Sequence, residues 1–217
     1  MKILLPLIAV CLLISTASAQ SRTISEAQYE KVFQFAVSKT NEAYPVIFKV
    51  RTNFIENGRI IRTVTDVNEN ESLVNYRVKR TTIVKGRRTN KYQVSVGVDK
   101  TFCSDDAVSW KPSKHQCFGP VSVYGRREPE SSEYSVYSKW VKGKRFQVYR
   151  EYSVFGPSGE HEKKDFRETV STINSRGLFT TVVEIEGTLN PRTVTLRRKQ
   201  SWVTRARIKR VVPPIGS

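Results

Sequence analysis

The chain has 217 residues, with 37 lysines and arginines against 20 aspartates and glutamates, and a formal charge of +17. That length suits one domain with a core of its own, and the charge favours anionic partners over cationic ones: lipid headgroups, lipopolysaccharide, nucleic acid or an acidic protein. The same charge also serves simply to keep a surface solvated, so it bounds the partners without choosing one.

Residues 1–19 read as a secretory signal peptide: Lys2 supplies the positive end, Ile3 to Ile14 an apolar run, and Ala17-Ser18-Ala19 a small-residue cleavage site. That run falls short of the roughly 20 residues of a membrane-spanning helix. Cys11 lies inside it behind Val10, which is large for a lipidation signal, so Cys11 is expected to leave with the leader. Residues 20–217 are then expected to be a single β-rich domain that is periplasmic or secreted.

A helix is expected to open that domain. Ser25 with Gln28 fits a capping box, and Ile24 and Tyr29 fit the hydrophobic staple around it. Tyr29, Val32, Phe33, Ala36, Val37 and Thr40 recur at helical spacing, and Pro45 ends the pattern. The period then changes to two. Asn57-Gly58, Lys85-Gly86, Lys142-Gly143, Gly156-Pro157, Arg176-Gly177 and Asn190-Pro191 punctuate a succession of strands. These runs are 46–51, 60–67, 73–84, 91–102, 121–125, 133–141, 146–155, 166–173, 178–186, 192–200 and 202–211. The fold class is α+β: a leading helix and a large antiparallel sheet.

Alternation along the strands predicts a sheet with two unlike faces. Val74, Tyr76 and Val78 oppose Asn75, Arg77 and Lys79; Tyr92, Val94, Val96 and Val98 oppose Lys91, Gln93, Ser95 and Gly97. In the last run Trp202, Thr204, Ala206 and Ile208 oppose Val203, Arg205, Arg207 and Lys209. About ten strands present roughly thirty inward side chains, whereas one helix covers five or six. The sheet must therefore curl on itself, as a half-barrel or incomplete barrel, or leave apolar surface for a ligand such as an acyl chain. The expected groove residues are Phe48, Val50, Tyr76, Val78, Tyr92, Val94, Phe146, Val148 and Trp202. All are equally good core positions.

Little in the chain points to chemistry. His115 and His161 stand outside any metal-binding spacing, and no nucleophile elbow or phosphate loop occurs. Neither an enzyme, a metal nor a cofactor is expected. Cys103 and Cys117 are too far apart for a redox motif and are expected to form a disulfide, which would stabilise the fold by about 3 kcal/mol. Asn70-Glu71-Ser72 matches a glycosylation acceptor and is read as a chance match in a turn. Two basic runs, Arg77 to Lys91 and Leu196 to Arg210, contain no acid. Tyr76 and Trp202 fall on the side opposite the neighbouring arginines, which argues against a base-stacking nucleic-acid platform. Arg77, Lys79, Arg205, Arg207 and Lys209 are instead expected to face an anionic membrane surface or an acidic envelope protein.

Val96-Gly97-Val98 followed by Asp105-Asp106 and Trp110, then Phe166-Arg167-Glu168, Arg176-Gly177-Leu178-Phe179, and Trp202 through Ile208-Lys209 to Pro213 form a set of short segments. Together they resemble the LolA/LppX-like superfamily of periplasmic lipid and lipoprotein carriers. The resemblance implies a curved, incomplete barrel whose concave side receives a lipid or acyl chain, with capture and hand-off in place of catalysis. This chain departs from that pattern in having one helix and an unusually cationic exterior. A scaffold that binds an anionic partner through its basic face, holding no ligand, is the competing expectation.

Overall fold

The computed structural model describes residues 21–97, 100–105, 128–157 and 163–212. The expected leader, His115, His161, Cys117 and the 121–125 run lie outside the described residues. Cys103 is half-buried, and its expected pairing with Cys117 is likewise outside them.

A two-residue strand, β1 (Arg22–Thr23), comes before the helix α1 (Glu26–Glu42), so the helix follows a strand instead of opening the folded chain. Its start is fixed reciprocally. The Gln28 backbone N–H donates to the Ser25 hydroxyl at 3.3 Å, and the Ser25 N–H donates to the Gln28 side chain at 3.1 Å. Tyr29, Ala36 and Thr40 form its buried stripe, and the Thr40 hydroxyl donates back to the Ala36 carbonyl at 2.7 Å. The helix stops short of Pro45, because a residue before proline disfavours helical backbone.

The remaining strands fall into two antiparallel meanders. One is β2 (Val46–Glu56), β3 (Arg59–Asn70), β4 (Tyr76–Val84), β5 (Arg87–Val96) and β6 (Lys100–Ser104). The other is β7 (Ser131–Val141), β8 (Lys144–Phe155), β9 (Asp165–Ile173), β10 (Phe179–Thr188) and β11 (Thr193–Thr204). The last strand of the second pairs with the first of the first, β11 with β2, and β1 pairs with β7. Among the described residues the result is an 11-stranded antiparallel sheet that stays open, with β1 and β6 at its edges. Three hairpins turn on two residues with positive φ: Asn57-Gly58, Lys85-Gly86 and Lys142-Gly143. That is the turn whose twist matches paired strands.

Two strand expectations need correction. The 91–102 run divides at Gly97, whose φ of 69° turns the chain from β5 into β6. The runs 192–200 and 202–211 are one strand that ends at Thr204. Thr204 lies opposite Val46, where β2 begins; beyond it the Ala206 N–H still donates to the Pro45 carbonyl at 3.2 Å, but Pro45 has no N–H to return, so the regular ladder ends there. Arg205 turns the chain at a φ of 58°. Residues 205–212 then run past the loop between β3 and β4, with the Val211 N–H donating to Glu71 at 3.0 Å. Arg205, Arg207 and Lys209 are therefore not in a strand.

The core lies between α1 and the second meander. Ala36, Ile173 and Phe179 are its buried centre, packed by Val32, Val37, Tyr149, Val182 and Trp202. These contacts identify the helix-facing side of the sheet, and strand register carries that side from strand to strand.

Candidate amphipathic binding site

Register decides which side chains share the helix-facing surface. Trp202 lies opposite Phe48, Gln200 opposite Val50, and Arg198 opposite Thr52. Val50 lies opposite Asp66, Asp66 opposite Arg80, and Phe48 opposite Asn68. Asn68 lies opposite Val78, which lies opposite Gln93. Phe48, Val50, Tyr76, Val78 and Trp202 are thus brought together, all on the helix side.

The other four expected groove residues are not. Tyr92 lies opposite Lys79 and Val94 opposite Arg77, while Phe146 and Val148 lie opposite Lys139 and Tyr137, on the far side of the sheet. The cause is register: the apolar set of β4 meets the polar set of β5, so greasy alternation changes sides between neighbouring strands. Val94 and Val148 are nevertheless buried there. The sheet does not have one apolar and one basic face. Each side is mixed.

Lys79 stays on the far side, its ammonium 5.8 Å from the centre of the Tyr92 ring. Arg77 is also on that side but is engaged. Its guanidinium is 2.8 Å from Glu69 and donates to the Lys209 carbonyl. It ties the 205–212 segment to the sheet.

On the helix side, aromatic rings form a continuous run. Phe33 from α1 meets Phe179 edge-on at 5.5 Å, Phe179 stacks on Trp202 at 5.3 Å, and Trp202 reaches Phe48 at 6.2 Å. Beneath the helix this run borders a cavity of about 640 Å³, whose walls also include Val37, Val182, Arg167 and Glu184. Past Phe48 the same surface borders a second cavity of about 440 Å³, with Val50, Tyr76, Val78, Asp66, Arg80 and Arg198 among its walls. Gln200 lines both.

The second cavity is polar in a specific way. Arg80 grips Asp66 with two hydrogen bonds of 2.7 Å, and Arg198 holds Glu184 at 3.0 Å through Nη1. Its wall residues Arg198, Asn70 and Gln93 each also keep a buried polar atom with no hydrogen-bond partner among the described residues, Nη2, Oδ1 and Oε1 respectively, at a cost of about 1–3 kcal/mol apiece.

Sequence reading missed this polar row because it assigned charged strand residues to solvent. Glu186 shows the error most plainly. It is 1% exposed, and the irregularity between Glu186 and Gly187 seats it there. A Cβ on Gly187 would meet the Thr193 carbonyl oxygen at 1.9 Å, so only glycine permits that close approach. Burial pushes the Glu186 carboxyl up to about 8, and the neighbouring Glu184 adds to the rise by hydrogen bonding and repulsion. Tyr29, buried against β8, is also raised, chiefly by burial and then by the charge of Glu151.

No family model matches the chain, and no curated protein matches it. One similar solved structure is a domain from Vibrio parahaemolyticus provisionally assigned as an outer membrane lipoprotein-sorting protein. The two share 10% identity over 82% of this chain and 93% of that one, at a TM-score of 0.28. A likeness of that size carries neither fold nor function from one chain to the other.

Proposed function

We propose that this chain is an exported binding protein for a single amphipathic ligand, a lipid or another acylated molecule. Its hydrocarbon part would lie along the aromatic run under α1, and its oxygen-bearing head would occupy the cavity at Arg198, Asn70 and Gln93. The observation that carries this reading is the continuity of the two: Phe33, Phe179, Trp202 and Phe48 lead from one cavity into the other, and Gln200 belongs to both. Rings offer area without restricting tail length, while the polar walls of the second cavity, Asp66, Arg80 and Arg198 among them, favour a polar head. Export rests on the leader pattern of residues 1–19. The reading involves binding and release without bond making.

Native mass spectrometry of the chain purified from its own host, followed by organic extraction, is the direct test. The expected result is one acyl-containing molecule per chain. A chain that flies and extracts free of lipid, from cells in which it is functional, would contradict the reading.

A further inference from the structure

We infer that the adjacent tips of the β2–β3 and β4–β5 hairpins form a wedge that docks on an anionic lipid surface, a site separate from the proposed ligand cavity. The two tips lie side by side, because Arg62 pairs with Val84 and Thr63 with Ile83 across β3 and β4. Hairpin tips are ordinarily polar, yet here Ile60 and Ile61 are 56% and 49% exposed, and Ile83 and Val84 are each 41% exposed. Around them stand Arg59, Arg62, Lys85, Arg87 and Arg88, all exposed. None of these five enters an ion pair among the described residues, and Glu56 is the acid of the two tips. The Arg62 guanidinium lies 3.7 Å from the centre of the Phe54 ring, a cation–π contact that leaves its charge unneutralised.

The distribution selects among anionic partners. Val84 shares the helix side of the sheet with Arg62, whereas Ile83 lies on the opposite side with Arg88. Aliphatic surface thus protrudes on both sides of the same tip. A globular acidic protein covers one side and leaves the other wet. A soluble polyanion rewards the cations and gains nothing from the aliphatics. A lipid headgroup layer surrounds the tip, taking apolar side chains into its acyl boundary while its phosphates meet the cations.

The test is co-sedimentation of the full chain with large vesicles of phosphatidylcholine alone, and with about one-third phosphatidylglycerol. Binding to the anionic vesicles, weakened by salt, and little binding to the zwitterionic ones is expected. Each cation near such a surface is worth about 1 kcal/mol, so Arg87→Gln with Arg88→Gln should weaken binding about thirtyfold. Ile61→Ser with Ile83→Ser keeps every charge and should weaken it at least tenfold by removing inserted apolar area. Ile61→Trp provides a reading that does not depend on affinity: its emission should shift to the blue on anionic vesicles. Equal binding to both vesicle types overturns the inference. So does a serine variant that binds like the parent while soluble heparin displaces it, since that outcome describes polyanion docking.

Discussion

Replacing Phe179 with alanine should lower the unfolding free energy by about 3–5 kcal/mol in urea titrations. Phe179 is 5% exposed, sits in the buried centre with Ala36 and Ile173, and is the ring that joins Phe33 on the helix to Trp202 on the sheet. Folded domains have about 5–15 kcal/mol in total, so the loss approaches the whole margin of stability. It should also free α1 from the sheet, because the helix meets the rest of the fold mainly on β7 and β10. Val203→Ala, on the far side and 60% exposed, is the matched control and should stay within about 0.5 kcal/mol of the parent. Similar midpoints for both variants would mean that Phe179 is not the junction between helix and sheet.

The second large effect concerns pH and Glu186. An ordinary glutamate here has a value of 4.5, and burial followed by Glu184 raises the folded value to about 8. Below 4.5 both folded and unfolded chains hold the proton, and the contribution to stability is fully present. Between 4.5 and 8 the folded chain keeps the proton while the unfolded chain has released it, so stability falls as pH rises. Above the folded value the contribution is lost. The slope from this group is up to about 1.4 kcal/mol per pH unit. Glu186→Gln removes the titration and should flatten that decline, making the variant more stable than the parent at pH 8. Parallel stability curves for the two proteins between pH 5 and 8 would show that Glu186 is ionised throughout.

Local signals in the sequence translated well into structure. The capping box at Ser25 and Gln28, the stripe through Tyr29, Ala36 and Thr40, and the turns at Asn57-Gly58 and Lys142-Gly143 depend on residues within a few positions of one another. What could not be read was register between strands. Alternation says that Tyr92 and Val94 share a side, but only the pairing of Val78 with Gln93 shows that this side is not that of Tyr76 and Val78. The junction of β11 with β2 joins residues far apart in the chain, and no local pattern announces it. The same pairing explains why the basic alternation at Arg205, Arg207 and Lys209 fails to continue the strand: β2 begins at Val46, and Pro45 before it accepts from the Ala206 N–H but has none to give back.

The candidate site was half legible for the same reason. Its apolar members, Phe48, Val50, Tyr76, Val78 and Trp202, stand out as alternating hydrophobic residues. Its polar members, Arg198, Asp66, Arg80 and Gln93, read as ordinary solvent-facing positions until the sheet folds them inward. The mixture gives the helix side its amphipathic character: ion pairs with 13–20% exposed side chains beside a run of stacked rings. Burying such pairs is weak as a source of stability. It is well suited to holding a polar head at a fixed distance from a hydrocarbon tail.

Arg198 and Lys199 are neighbours on β11 that point to opposite sides of the sheet, so they allow the sharpest comparison. The measurement is fluorescence titration of the delipidated chain with an environment-sensitive long-chain fatty acid, repeated for Arg198→Gln and Lys199→Gln. A ligand seated between the aromatic run and the Arg198 wall of the second cavity predicts saturable one-to-one binding that is weakened about tenfold or more by Arg198→Gln and unchanged by Lys199→Gln. Non-saturable binding, or equal losses from the two substitutions, would contradict a built site on the helix side.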